Sequence, residues 1–239
     1  MKSIERIPRG ETNEFLPYRD QANDFLANLF PGNVTAHDVM LADQYFPLYA
    51  EEAGAIVRSV PSRRIEFSAG RFCARMAMRR LGYPAAVVPA GADRAPVWPL
   101  GLVGSISHCR GYCAAVLAQC KHFRSIGLDV EQRGAVSPSL ESSILRSEEI
   151  EMLRALAQAD SMDWLTLYFS AKEATYKALY PLHRKLIGFH EVRICLDREK
   201  GTFIGDILAD LPASLACPLR INGRYLADAC RIYTGAWVA

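Results

Sequence analysis

The run Ser125-Ile126-Gly127-Leu128-Asp129-Val130-Glu131 constrains this chain more than any other, because it sets two carboxylates two residues apart at the end of an apolar segment. Residues i and i+2 of a strand face the same way, so Asp129 and Glu131 are expected to point together from one side. Two acids on one strand face repel unless something positive lies between or beside them. A second run, Phe169-Ser170-Ala171-Lys172-Glu173-Ala174-Thr175-Tyr176-Lys177, reads as a helix and offers a third acid with flanking lysines. The three acids are expected to hold one hard divalent cation, which prefers oxygen ligands.

Composition narrows what surrounds these acids. Of 239 residues, 50% are hydrophobic and 23% charged, which excludes a disordered chain and allows one large domain or two small ones sharing an interface. A net charge of +2 does not suggest a generally basic protein. The arginines are concentrated instead, with Arg63, Arg64, Arg71, Arg75 and Arg79 between Arg58 and Arg80, and this points to an anionic ligand. Seven scattered cysteines without zinc-site spacing, and a start that lacks the apolar core of a signal peptide, read as reduced and mostly buried thiols in the cytoplasm. No apolar run reaches the roughly 18 residues of a membrane span.

Taken in order, residues 1 to about 35 carry little beyond the turn signal Pro31-Gly32-Asn33. A short helix is expected over 47–58, with Leu48, Ala53, Ile56 and Val57 facing inward. Pro61 to Leu81 is the clearest helix, beginning after Pro61-Ser62 and stopping at Gly82. At about 100° per residue, Arg64, Arg71 and Arg75 fall within roughly 40° of one another. That row is either a solvated face or a phosphate-binding one, for which the planar guanidinium fork is suited. Gly70, in mid-helix at an entropic cost, is read either as letting a ligand or another element approach closely or as serving packing. Four prolines between residues 84 and 99 mark looped chain, and 104–118 reads as strand, turn, strand with His108 at the turn. His108 is read either as a loop-stabilising histidine or as a donor to phosphate. Ser147 is expected to cap a helix, a second helix is expected over 162–179 and to end before Pro181, and Glu173 with Lys177 could be a simple i, i+4 surface pair. Short strands are expected at 191–196, 203–208, 219–221 and 229–238. Helices followed by an antiparallel sheet give an α+β class.

Four motifs acquire specificity together: Arg-Arg-x-Glu-Phe-x-x-Gly-Arg-x-Cys-Ala-Arg at 63–75, Trp-Pro-x-Gly-x-x-Gly-Ser-Ile-Ser-His-Cys at 98–109, Gly-Leu-Asp-Val-Glu at 127–131, and Phe-Ser-Ala-Lys-Glu-Ala at 169–174. In this order they resemble the 4′-phosphopantetheinyl transferases, of the larger, monomeric Sfp/EntD-like kind, over roughly residues 60 to 185. The resemblance implies an α+β pseudo-dimer: two similar halves, each with a small antiparallel sheet and helices, divided near residue 125 into 1–125 and 126–239, with the active site in the cleft between them. It implies an enzyme that moves the phosphopantetheine arm of coenzyme A onto a serine of an apo acyl or peptidyl carrier protein and releases adenosine 3′,5′-bisphosphate. The cofactor implied is Mg2+, with Mn2+ as an alternative, and the setting is fatty acid, polyketide, siderophore or lysine-pathway machinery.

Residue by residue, the resemblance makes Asp129, Glu131 and Glu173 the metal acids. Glu173, alone or through a metal-bound water, is the implied base, although a carboxylate already holding metal is a poor one. Lys172 and Lys177 match lysines near the transferred phosphate, and His108 after Ser107 matches the donor to a coenzyme A phosphate. Arg64, Arg71 and Arg94 match cations around the 3′-phosphate and pyrophosphate. Another magnesium-dependent phosphotransferase or a nuclease is the rival class, as is an inactive carrier-binding module. Against the first there is no P-loop pattern, against the nuclease the arginine row lacks the aromatic platforms that single-stranded nucleic acid needs, and against the third all three acids are present.

Overall fold

The computed structural model describes residues 24–210 and 220–239, and the expected strand at 219–221 begins one residue outside the second stretch. Within these residues the helices are α1 (Asp24–Ala27), α2 (Ala50–Ala53), α3 (Pro61–Arg80), α4 (Glu141–Ile144), α5 (Ser147–Ala157) and α6 (Trp164–His183). The strands are β1 (Val34–Met40), β2 (Leu102–Cys109), β3 (Tyr112–Gln119), β4 (Ser125–Gln132), β5 (Val192–Asp197), β6 (Thr202–Ile207), β7 (Arg220–Ala227) and β8 (Arg231–Val238). They form two antiparallel sheets, one ordered β1-β3-β2 and the other β4-β8-β7-β6-β5, so the class is α+β. Among the described residues no helix is long and apolar enough to cross a membrane.

Each sheet carries one 20-residue helix. Against β1 and β3, α3 buries Ala69, Phe72, Cys73, Ala77 and Met78. Pro61 opens it, where a missing N–H costs nothing. Gly70 serves packing: a Cβ there would stand 2.8 Å from the Ile106 side chain of β2. Against the second sheet, α6 buries Tyr168, Ala171, Ala174, Ala178 and Leu179 beside Ile194, Phe203 and Ile221. The back of the first sheet packs through Ala114, Val116 and Ala118 on Ile126, Leu128 and Val130 of β4, which gives the two sheets a common core.

Several boundaries differ from expectation for local reasons. The helix expected over 47–58 shrinks to α2 and a 3₁₀ turn at Gly54–Ile56; Ile56 is buried, but Val57 is 65% exposed. Ser147 is the first helical residue, not the cap. The cap position is Arg146, whose backbone N–H donates to the Glu149 carboxylate at 2.8 Å. Instead of ending before Pro181, α6 runs on to His183, since a proline in the last turn removes a single ladder bond, and it closes at Arg184 with a left-handed φ of 55°. Of the six described cysteines, all free, only Cys73, Cys109 and Cys113 are buried.

Among the described glycines, Gly127 leaves the least room for a side chain, and it is where α6 lies on β4. A Cβ added there would stand 2.0 Å from the Ala174 carbonyl oxygen and 2.6 Å from the Ala178 nitrogen. Both are backbone atoms, so relief requires moving the helix. Gly127→Ala is therefore expected to destabilise the protein by at least about 3 kcal/mol in a denaturant melt; a loss under about 1 kcal/mol would show that α6 can shift freely.

Candidate active site

Where the two sheets meet, β2 and β4 run side by side in the same direction without a main-chain ladder. Side chains join them instead. Ser105 Oγ donates to Leu128 O at 3.5 Å, and Ser107 Oγ accepts from the Val130 N–H at 3.2 Å. Ser107 also donates to Asp129 Oδ1 at 3.1 Å. From α6, the Lys177 ammonium reaches the same Asp129 Oδ1 at 2.6 Å and Ser107 Oγ at 3.2 Å. Three residues drawn from β2, β4 and α6 thus meet at one carboxylate oxygen.

Asp129 is buried, and its second oxygen, Oδ2, has no hydrogen-bond partner. Glu131, two residues along β4, is pushed up to about 7 by burial and then by the Asp129 charge, with Lys177 pulling the other way. Burial and Asp129 also raise Glu173, again against Lys177. The acids of β4 and α6 therefore lie in one another's field, and one lysine offsets three of them. Among the described residues no three Asp, Glu, His or Cys side chains stand together closely enough to hold a metal ion as they are. The set nonetheless suits a hard cation in kind: every donor is a carboxylate oxygen, one of them is buried and unpartnered, and negative charge is in excess.

The expected arginine row separates into different environments. Arg75 is buried, its Nη1 donating to both Glu52 carboxylate oxygens at 3.0 and 2.9 Å. Arg71 is buried with its guanidinium 3.7 Å over the Phe67 ring, its Nε donates to Val88 O at 3.0 Å, and Nη2 is left without an acceptor. Burial lowers its pKa to about 10. Arg64 turns back onto the preceding turn, with Nε donating to Ser59 O at 2.9 Å. Arg63, not a member of the Arg64, Arg71 and Arg75 row, stands beside His108 with Nη1 donating to Nε2 at 2.9 Å, and Glu66 Oε2 lies 3.7 Å from the same ring nitrogen. Burial lowers the His108 pKa, with the Arg63 and Lys177 charges acting the same way and Glu66 and Asp129 opposing, a balance that favours the neutral ring able to accept that bond. The signal for Arg63 was the β2–β3 hairpin, which folds His108 back over the start of α3.

Lys172 and Lys177 lie on different sides of α6. Lys172 is buried and its ammonium is fully used, donating to Glu149 Oε2 at 2.6 Å, Phe189 O at 2.8 Å and Val192 O at 2.9 Å. As folded, it has no hydrogen left for a phosphate. Glu149 in turn accepts from the Arg146 and Ile194 N–H groups. That network binds α5, α6 and β5 together and carries the helix that presents Glu173.

A cavity of about 480 Å³ opens beside this centre, walled by Arg94, Trp98 and Ser105 on one side and by Tyr176, Lys177 and Tyr180 of α6 on the other. Arg94 has a left-handed φ of 67°. A neighbouring recess of about 290 Å³, sharing Tyr176, is lined by Glu173, Ile187 and Phe189. His108 opens onto a third, of about 620 Å³. The arrangement offers cations and hydroxyls to a phosphorylated ligand and a carboxylate of raised proton affinity beside them.

Comparison with known proteins agrees with these features. A model of the 4′-phosphopantetheinyl transferase N-terminal domain matches residues 51–118, and one of the 4′-phosphopantetheinyl transferase superfamily matches residues 125–229. Among curated proteins, the 4′-phosphopantetheinyl transferase Npt of Nocardia iowensis is 36% identical over 177 residues, 74% of this chain and 79% of that protein. The 4′-phosphopantetheinyl transferase Svp of Streptomyces mobaraensis is 36% identical over 193 residues, 80% of this chain and 74% of that one. Enterobactin synthase component D of Escherichia coli (strain K12) is 32% identical over 201 residues, 80% of this chain and 90% of that protein.

Two outcomes are expected. Lys172→Ala leaves Glu149 buried without its cation and lowers unfolding free energy by about 3–5 kcal/mol; normal stability with lost activity would instead return Lys172 to substrate contact. Glu131 ionises near 4.5 when unfolded but near 7 when folded, so the folded state binds the extra proton and stability is lost as pH rises through that window. Between pH 4.5 and 8 the thermal midpoint of the parent should therefore fall more than that of Glu131→Gln, and equal slopes would show that Glu131 ionises normally.

Proposed function

The chain belongs to the 4′-phosphopantetheinyl transferase superfamily, and from that membership we propose that it moves the 4′-phosphopantetheine arm of coenzyme A onto a serine of an apo acyl or peptidyl carrier protein, with magnesium. The observation that carries this reading is the meeting of Ser107, Asp129 and Lys177 at the seam between the sheets, with Glu131 and Glu173 in the same field. We assign coenzyme A recognition chiefly to residues 1–125 and the acids to 126–239. The name of one relative, Enterobactin synthase component D, favours a carrier protein that serves a synthase as the acceptor.

The serine hydroxyl oxygen of the carrier attacks the phosphorus that bears the pantetheine. A new P–O bond forms, the bond to the bridging oxygen of the pyrophosphate breaks, and adenosine 3′,5′-bisphosphate departs with that oxygen. Glu173, whose pKa burial raises, is our assigned acceptor of the serine proton, a role it fills only while its own carboxylate is not engaged by the metal. Lys177 meets the transferred phosphoryl group as a compact point charge. Ser107, His108 and its neighbour Arg63 hold coenzyme A phosphate oxygens, with Arg94 at the cavity wall; Arg64 and Arg71 join them if their present carbonyl bonds are exchanged. Asp129, Glu131 and Glu173 would hold the magnesium ion, which when bound neutralises charge on the pyrophosphate.

The test is incubation with magnesium, coenzyme A and several apo carrier proteins, read by mass spectrometry. A gain of one phosphopantetheine is expected, and no gain on any carrier type would overturn the proposal. Asp129→Ala and Glu173→Ala should each reduce transfer by at least about 100-fold while leaving the circular dichroism spectrum intact. Near-parental turnover of either at limiting magnesium would remove it from the site.

A further inference from the structure

A strap from Pro89 to Val97 lines the cavity beside Lys177 with its second half, Asp93 to Val97. It is closed on itself: Ala90 and Pro96 form a bridge, Val97 N–H donates to Pro89 O at 2.9 Å, and Gly91 N–H donates to Ala95 O at 2.8 Å. Asp93 Oδ1 accepts from the Ala95 N–H at 3.0 Å. A loop with so many internal bonds moves as one piece, so a contact at its tip determines where the whole wall stands.

The tip makes such a contact. Asp93 Oδ2 accepts from Tyr180 Oη at 2.8 Å and from Arg184 Nη1 at 2.8 Å, residues 87 and 91 positions further along the chain. Tyr180 is near the end of α6, and Arg184 is the left-handed residue that terminates it. The Arg184 guanidinium also lies 5.6 Å from the Tyr180 ring centroid, which holds the two donors together. One oxygen of a single carboxylate is thus used for the fold of the strap and the other for reaching the opposite wall. Arg94, adjacent to Asp93, and Lys177, one turn before Tyr180, face the space between these walls.

We infer that Asp93, Tyr180 and Arg184 form a latch that sets the separation of strap and helix to the width of coenzyme A, which makes Asp93 a positioning residue for that substrate. An exposed ion pair adds little to stability. A latch acts differently: it raises the fraction of molecules whose cavity has the binding width, and apparent affinity scales with that fraction. Its loss weakens coenzyme A binding while molecules that do bind react as before.

Because the latch serves coenzyme A only on the transferase reading, binding and turnover are measured separately. Coenzyme A titration by calorimetry and steady-state transfer to an apo carrier are compared for the parent, Asp93→Ala, Arg184→Ala and the double variant. Expected are an about three- to tenfold rise in Kd and KM for coenzyme A in each single variant, kcat within about twofold and an unchanged Tm. The double variant should be no worse than the worse single. Unchanged Kd in Asp93→Ala, losses that multiply in the double variant, or a fall in kcat at constant KM would each overturn the latch. A parent that does not bind coenzyme A at all would overturn the transferase reading, and the latch with it.

Discussion

Everything at the centre of this molecule depends on how closely α6 lies on β4. At Gly127 the helix backbone occupies the space of a side chain, with Ala174 and Ala178 making room from the other side. At that separation a lysine on α6 reaches an aspartate two residues further along β4 with a 2.6 Å contact. A helix standing one side-chain layer further out would leave Asp129 buried with neither its cation nor its neighbouring acid on α6. The site is thus a consequence of packing between small residues, and its charged groups are placed by apolar ones.

Two lysines five residues apart on this helix have opposite uses. Lys172 is consumed by the interior, held by a carboxylate and two carbonyls, and ties α6 to α5 and β5. Lys177 is more than a quarter exposed, bonds Asp129 and Ser107, and lines the cavity. The first fixes the helix and the second works from it. Arg75 and Arg63 divide in the same way on α3, one locked to buried Glu52 and one at the surface beside His108.

Much of this was legible in the sequence. The helix from Pro61, the β2–β3 hairpin, the acid-bearing strand and most of the closing strands follow from periodicity, proline and glycine, and the four motifs identified the family. What was not legible was partnership. A helical wheel puts Arg64, Arg71 and Arg75 on one face, but whether each meets solvent, a ring or a carboxylate depends on residues such as Glu52, 23 positions away in sequence. Lys172 reads like any lysine of a charged helix, and only the fold brings Glu149, also 23 positions away, beneath it. Pro181 does not mark the end of α6, because less than one turn follows it and a proline there removes a single ladder bond.

The seam between the two sheets rests on the hydroxyls of Ser105 and Ser107, where a continuous sheet would have had a ladder of peptide groups. A ladder is common to all sequences and can be altered only by moving a whole strand. A joint made of side chains belongs to individual codons, so the angle between the halves can be retuned one substitution at a time while both sheets stay intact.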